Sequence, residues 1–228
     1  MKFKTTSLAL ASILLAALPV RAAIRDDLPK GLMLNMDFET AREGLIPSKA
    51  LYPLHVPMGE LGLEWFHGRN MLAVQPEQGL DIPHSSMLEP NGDEWVVTLR
   101  AICLTDGLIV SQANGTHGFA IYMKDGHISA RVKTGATSFL MQENERYGRK
   151  KVINRWVTIE LRIRENMAIL YLNRERVAMV MDQPALSGDN QRIRIGEHRA
   201  LPAPLARTTD QTPTGFTGAI NSFKILRQ

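Results

Sequence analysis

From Trp95 to Met181 the chain alternates apolar and polar positions in seven short runs: Trp95–Leu104, Gly107–Gln112, Gly118–Lys124, His127–Lys133, Trp156–Ile163, Met167–Leu172 and Arg176–Met181. Each run has strand length, is rich in β-branched residues and is bounded by Gly, Asn or Asp, so the pattern predicts a meander of β-strands. Tight turns separate several of them. Asp125-Gly126 and Asn114-Gly115 offer residues that tolerate positive φ at both turn positions, and Arg164-Glu165-Asn166 and Asn173-Arg174 close the next two hairpins. Outside the meander, Gly31–Glu39, Leu80–Pro83, Arg192–Gly196 and Phe216–Leu226 have strand character. The first and last strands are strongly patterned and are expected to pair and close one sheet. Residues 40–78, rich in Gly and Pro, carry no clear period and are expected to be irregular.

Period two also assigns faces. Val157, Ile159, Leu161 and Ile163 fall on one side of their strand, with Trp156, Thr158, Glu160 and Arg162 on the other. Cys103 follows Trp95, Val97, Leu99 and Ala101 at alternating positions, which predicts a buried, inert thiol. It is the single cysteine, so neither an intramolecular disulfide nor a thiolate metal cluster can form.

The ends change how the charge is understood. Lys2 and Lys4 precede an apolar run from Ser7 to Leu18, and Val20-Arg21-Ala22 sets small residues where a signal peptidase needs them. Residues 1–22 are therefore expected to be a cleaved signal peptide, too short for a permanent membrane anchor, with residues 23–228 forming a single domain that is exported to a periplasmic or extracellular location. The 228-residue chain carries 27 basic and 23 acidic residues, a formal net of +4. Three of the basic residues lie in the leader, which leaves 24 against 23 and a net of +1. Net charge thus gives no ground for a nucleic-acid partner.

Several pieces together resemble the laminin-G-like members of the concanavalin A-like lectin and glucanase superfamily. They are Asp37-Phe38-Glu39 in the opening strand, Gly79 to Pro83 before a Trp-initiated strand, Asp106 to Val110, Gly118 to Ile128, Arg155 to Ile159, Ile169 to Asn173, and Phe216 to Ile220. The resemblance implies an all-β fold, a two-sheet antiparallel jelly-roll β-sandwich. Some family members bind calcium on a loop edge. Asp106 and Asn114 are the nearest counterparts here, yet two oxygen ligands fall short of the six to eight that Ca²⁺ takes, so turn shaping is the expected role and no cofactor is expected.

Reaction chemistry is harder to find. The hydrolytic relatives carry a Glu-x-Asp-x-Glu strand, which is absent; Glu143 and Glu145 alone repeat its spacing. Glu160-Leu161-Arg162 resembles part of an alginate-lyase strand without the partners that strand needs. The six histidines show no metal-ligand spacing. These absences favour a non-catalytic recognition domain that binds a polysaccharide or a surface or envelope protein. A polysaccharide-cleaving enzyme with a divergent site and a structural envelope-assembly module are the alternatives. If the strands share one sheet, Tyr122, Lys124, Arg131, Lys133, Trp156 and Arg162 would form one polar face with Trp65 and His67 at its rim. Such a face suits a glycan, above all an anionic one, because sugar rings stack on aromatics and Arg forks onto acidic groups.

Overall fold

The computed structural model describes residues 31–50, 54–59, 61–90, 94–113, 117–135, 137–142, 151–182, 186, 192–196 and 215–228. The expected leader at 1–22, the turn at Asn114, the Glu143/Glu145 pair and most of the proline loop at 200–215 lie outside them. Among the described residues the chain forms two antiparallel sheets packed face to face, as expected of a jelly-roll sandwich.

Ten strands make the larger sheet. They are β1 (Leu32–Asp37), β2 (Leu45–Ser48), β3 (Leu54–Pro57), β4 (Gly62–Phe66), β5 (Arg69–Val74), β7 (Trp95–Cys103), β12 (Trp156–Arg164), β13 (Met167–Leu172), β14 (Glu175–Met181) and β16 (Gly218–Arg227). Their order is β14-β13-β12-β7-β16-β1-β2-β3, and β5 pairs with both β16 and β4. The smaller sheet contains β6 (Gly79–Ile82), β8 (Gly107–Ala113), β9 (His117–Lys124), β10 (His127–Thr134), β11 (Thr137–Gln142) and β15 (Ile193–Gly196), in the order β11-β10-β9-β8-β15-β6.

Alternation explains what lies between the sheets. Leu34 and Met36 of β1, Val97 and Leu99 of β7, Val157, Ile159 and Leu161 of β12, and Phe223 and Ile225 of β16 point inward from the larger sheet. Phe119, Ile121 and Met123 of β9 meet them from the smaller one, with Ile128, Ala130 and Val132 of β10. Each large side chain sealed this way contributes about 1.5–3 kcal/mol relative to exposure. The first and last strands do pair: Asn35 lies opposite Lys224 and Asp37 opposite Ser222.

Two expectations needed correction. The condition for a shared polar face, that its strands lie in one sheet, is not met: after β7 the chain crosses to the smaller sheet for β8–β11 and returns for β12–β14. Alternation tells which side of its own strand a residue occupies, and says nothing of which sheet the strand joins. Residues 40–78, expected to be irregular, hold the short strands β2 to β5. At four to six residues each, with Pro47 and Pro57 within them, these strands carry too few positions to show a period, and their pairing partners hold them in place.

The hairpin turns follow their residues. Asp125 and Gly126 have φ of 54° and 80°, both positive as the dipeptide predicted. Asn173 and Arg174 adopt the same left-handed pair at 51° and 72°. Asn173 tolerates it and secures the turn, its Oδ1 accepting from the Thr158 amide at 2.9 Å. Arg174 meets the steric penalty that an L side chain has there. Arg174→Gly is expected to raise stability by up to about 1 kcal/mol in denaturant titration, the relief of the Cβ clash outweighing the extra freedom of the unfolded chain.

Cys103 is fully buried, and burial pushes its thiol up to about 12 from 9.0. Because the folded value lies above the unfolded one, the contribution to stability is complete below pH 9 and is lost as pH rises from there towards 12. A Cys103→Ala variant, compared with the parent by urea titration, should therefore show a shallower alkaline decline, by about 1.4 kcal/mol per pH unit. Parallel curves would show that the thiol does not ionise on unfolding in that window.

Candidate functional site

On the outer face of the larger sheet, period two turns the polar residues away from the core, and the strand register lines them up in rows. One row runs Asp37, Ser222, Arg100, Thr158 across β1, β16, β7 and β12; the next runs Asn35, Lys224, Thr98, Glu160. Apart from Glu160, which lies beyond it, these residues floor a groove of about 430 Å³ that Glu39, Lys49, Arg69 and Asn221 wall in, a size within the range of small-molecule sites.

The wall stands where the sheet is irregular. β16 pairs with β5 through Gly218–Ile220 and with β1 from Ser222 onward, and its register shifts between these two stretches. A bulge of this kind re-aims side chains. Buried Asn221 turns its Nδ2 to Glu39 Oε1 at 3.1 Å, and Arg69 donates to the same oxygen at 3.0 Å. Glu39 itself lies in a single 3₁₀ turn, Phe38–Thr40, whose start is capped by Asp37: Oδ1 accepts from the Glu39 amide at 3.1 Å. Both acids of the groove are thereby committed to the protein's own donors.

At the end of the groove stands an aromatic cluster. The β4–β5 hairpin turns through His67 and Gly68, with φ of 47° and 81°. This sets the His67 ring 6.4 Å from Trp156 and 5.2 Å from Phe66. The guanidinium of Arg100 lies over the Trp156 ring, 4.4 Å from its centroid. Trp65 shares a face of the hairpin with Leu63 and is 71% exposed at the tip.

The residues singled out in the sequence divide between two sheets. Trp156 and Arg162 lie on the outer face of the larger sheet, with the Trp65–His67 hairpin beside Trp156. They are six residues apart, about 20 Å along the strand. Arg162 donates to Glu160 at 2.6 Å and stacks on Tyr171. Its pKa is raised above the ordinary arginine value, first by that hydrogen bond, which reinforces a charge arginine always carries. Tyr122, Lys124, Arg131 and Lys133 belong to β9 and β10 of the smaller sheet, on the other side of the sandwich. The single polar face expected from sequence therefore does not form. Nor are these positions a solvated surface: Tyr122, Arg131 and Lys133 are buried, and Tyr122 packs with Leu108 and Ala120. Arg100, Lys224 and Asn35 were not singled out, and Asp37 entered only as part of the family resemblance. The expected pairing of the first and last strands would have joined Asn35 to Lys224, but nothing local reveals that β7 flanks them.

Asp106 is occupied in shaping a turn. Its two carboxylate oxygens accept from the backbone amides of Asp125 (2.5 Å) and Gly126 (3.0 Å), locking the β9–β10 hairpin to the β7–β8 connection. Asn114 lies outside the described residues. Among the described residues no group of three or more His, Cys, Asp or Glu side chains is placed to hold a metal ion.

A sandwich of two antiparallel sheets in jelly-roll order is the architecture of the concanavalin A-like lectin fold. The laminin G domain family matches residues 104–228, just over half of the sequence, and the chain belongs to that family. No curated protein matches it. Among solved structures it is similar to the binding domain of Paraclostridial Mosquitocidal Protein 1, with a TM-score of 0.67 at 10% identity over 87% of this chain and 49% of that one. It is also similar to the botulinum neurotoxin serotype D ligand binding domain in complex with N-acetylneuraminic acid, with a TM-score of 0.64 at 12% identity over 87% and 48%. The botulinum neurotoxin DC binding domain in complex with rat synaptotagmin II gives 0.63 at 9% identity over 86% and 48%. The chain thus spans about half the length of these structures, and at such identities the likeness establishes the fold alone.

Replacing Asp106 by Ala leaves two turn amides without their acceptor. The expected loss is about 1.5 kcal/mol in denaturant titration, at the low end for bonds to a charged group because the site is partly open to water. Asp106→Asn should recover part of it, and equal losses in both variants would argue against the carboxylate lock.

Proposed function

We propose that this chain is an exported, non-catalytic recognition domain that binds a glycan in the groove on the outer face of its larger sheet. The observation that carries the reading is the groove itself: a volume of about 430 Å³ floored by hydroxyl, amide and cationic side chains on rigid strands. Hydroxyl-rich ligands are recognised by such dense, convergent hydrogen-bonding groups. Strand-borne side chains hold their positions better than loop-borne ones. The solved relatives add support, since one carries N-acetylneuraminic acid and a type C botulinum neurotoxin depends on two ganglioside molecules for cell entry. Export rests on the basic start, apolar run and small residues of positions 1–22, and implies a periplasmic or extracellular location. The reading invokes no metal and no cofactor.

The non-catalytic part rests on the state of the groove's acids. Glycoside cleavage needs two carboxyl groups facing the ligand about 5–10 Å apart. Glu39 is taken up by Arg69 and Asn221, and Asp37 caps a backbone turn.

Thr98 sits mid-floor, half-buried, and a bulky β-former there would fill the groove without touching the core. Thr98→Trp should lower glycan affinity at least tenfold on an oligosaccharide array, with an unchanged circular dichroism spectrum and melting temperature. Binding that survives the substitution would move the site elsewhere. Shortened or unsaturated products from the parent domain would overturn the non-catalytic reading.

A further inference from the structure

We infer that the groove selects an acidic saccharide, and that Arg100, held in place by Trp156, is the residue that reads its carboxylate. The inference rests on the glycan reading above and adds the ligand's charge and the residues that sense it. Four cations line the groove, Lys49, Arg69, Arg100 and Lys224, against two acids, Asp37 and Glu39. The imbalance grows once internal partners are assigned. Glu39 neutralises Arg69, and Asp37 accepts from the backbone. Arg100, Lys49 and Lys224 form no ion pair with a described carboxylate, although Asp37 and Glu39 share the groove with them. A pocket built for a neutral sugar has no need to hold three unneutralised cations together at a cost in mutual repulsion.

Arg100 differs from the two lysines in how it is held. It sits mid-row, with Ser222 opposite it on one neighbouring strand and Thr158 on the other, and its guanidinium lies over the Trp156 ring. Stacking leaves the in-plane N–H fork available, and that fork matches the two oxygens of a carboxylate. A stacked arginine has already given up rotamer freedom, so less is lost when the anion arrives. Trp156 therefore acts as a positioning residue in place of the sugar-stacking platform expected from sequence. Ser222 and Thr158, its partners in the row, line the same groove and offer hydroxyls to the rest of the ligand. Lys49 and Lys224, both exposed, add positive potential without fixed direction.

The test uses the full exported domain and isothermal titration calorimetry. The probes are oligogalacturonate, oligoguluronate, oligoglucuronate and sialyllactose, each as the free acid and as its methyl ester, which keeps size and hydroxyls but removes the charge. At least one free acid should bind ten times or more tighter than its ester, with affinity falling as salt is raised. Arg100→Gln should bring the acid down to the ester's level. Trp156→Leu should lower the acid-to-ester ratio, and Trp156→Phe, which keeps an aromatic face, should restore it. A domain weakened only in its fold would lose acid and ester in the same proportion, which would count against the positioning role. Acid and ester binding alike in every pair would overturn the inference and leave the glycan reading standing. No binding to any probe, charged or neutral, would remove both.

Discussion

The last strand of the chain is the one on which the rest of the sandwich leans. β16 runs through the middle of the larger sheet, bonded to β7 along one edge and to β5 and then β1 along the other. Its inward side chains, Phe223 and Ile225, are fully buried beneath the smaller sheet. On that second edge β5 and then β1 meet it end to end, and between these stretches the register of β16 against β7 shifts at Asn221. There Arg69 and Asn221 both donate to Glu39, and the groove opens. The site is thus a consequence of how the sheet is assembled.

The outer face of that sheet changes character along its length, and the partners of its charges explain how. Near the β4–β5 hairpin it is aromatic, with His67 beside Trp156 and the Arg100 guanidinium over the Trp156 ring. In the middle it is polar, with the acids held by the protein's own donors and three of the cations left without carboxylates. Towards β13 and β14, Arg162 is closed off by Glu160 and Tyr171, and the face becomes apolar, with Met179 and Met181 half-exposed. What separates Arg100 from Arg162 is their neighbours, since both are half-buried arginines stacked on an aromatic ring. One has a carboxylate two residues away on its own strand; the other has hydroxyls on either side. The proposed ligand recognition is assigned to the arginine whose charge no carboxylate has already answered.

Much of the fold was legible in the sequence. The seven runs between Trp95 and Met181 all became strands, Asp125-Gly126 made the expected turn, the first and last strands paired, and Val157 to Ile163 faced inward as alternation required. These features are local, set by side-chain period and turn chemistry within a few residues. The strands between Leu45 and Val74 were not legible, because each is too short to show a period and exists by virtue of a partner.

The candidate site fared differently, for a related reason. Alternation identified Arg131 and Arg162 alike as residues on the polar side of a strand, and so they are. Only the crossing of the chain between sheets put them on opposite sides of the sandwich, burying one and leaving the other half-open. The sequence by itself determined which residues make strands, which side of each strand meets the core and where several of the turns fall, since those depend on neighbours along the chain. The tertiary structure decided which strands lie side by side, and therefore that Asn35, Lys224, Thr98, Arg100 and Thr158 converge on one groove. Strand adjacency depends on pairings between residues far apart in the chain, from 58 positions for Arg100 and Thr158 to 189 for Asn35 and Lys224, and no local period encodes it.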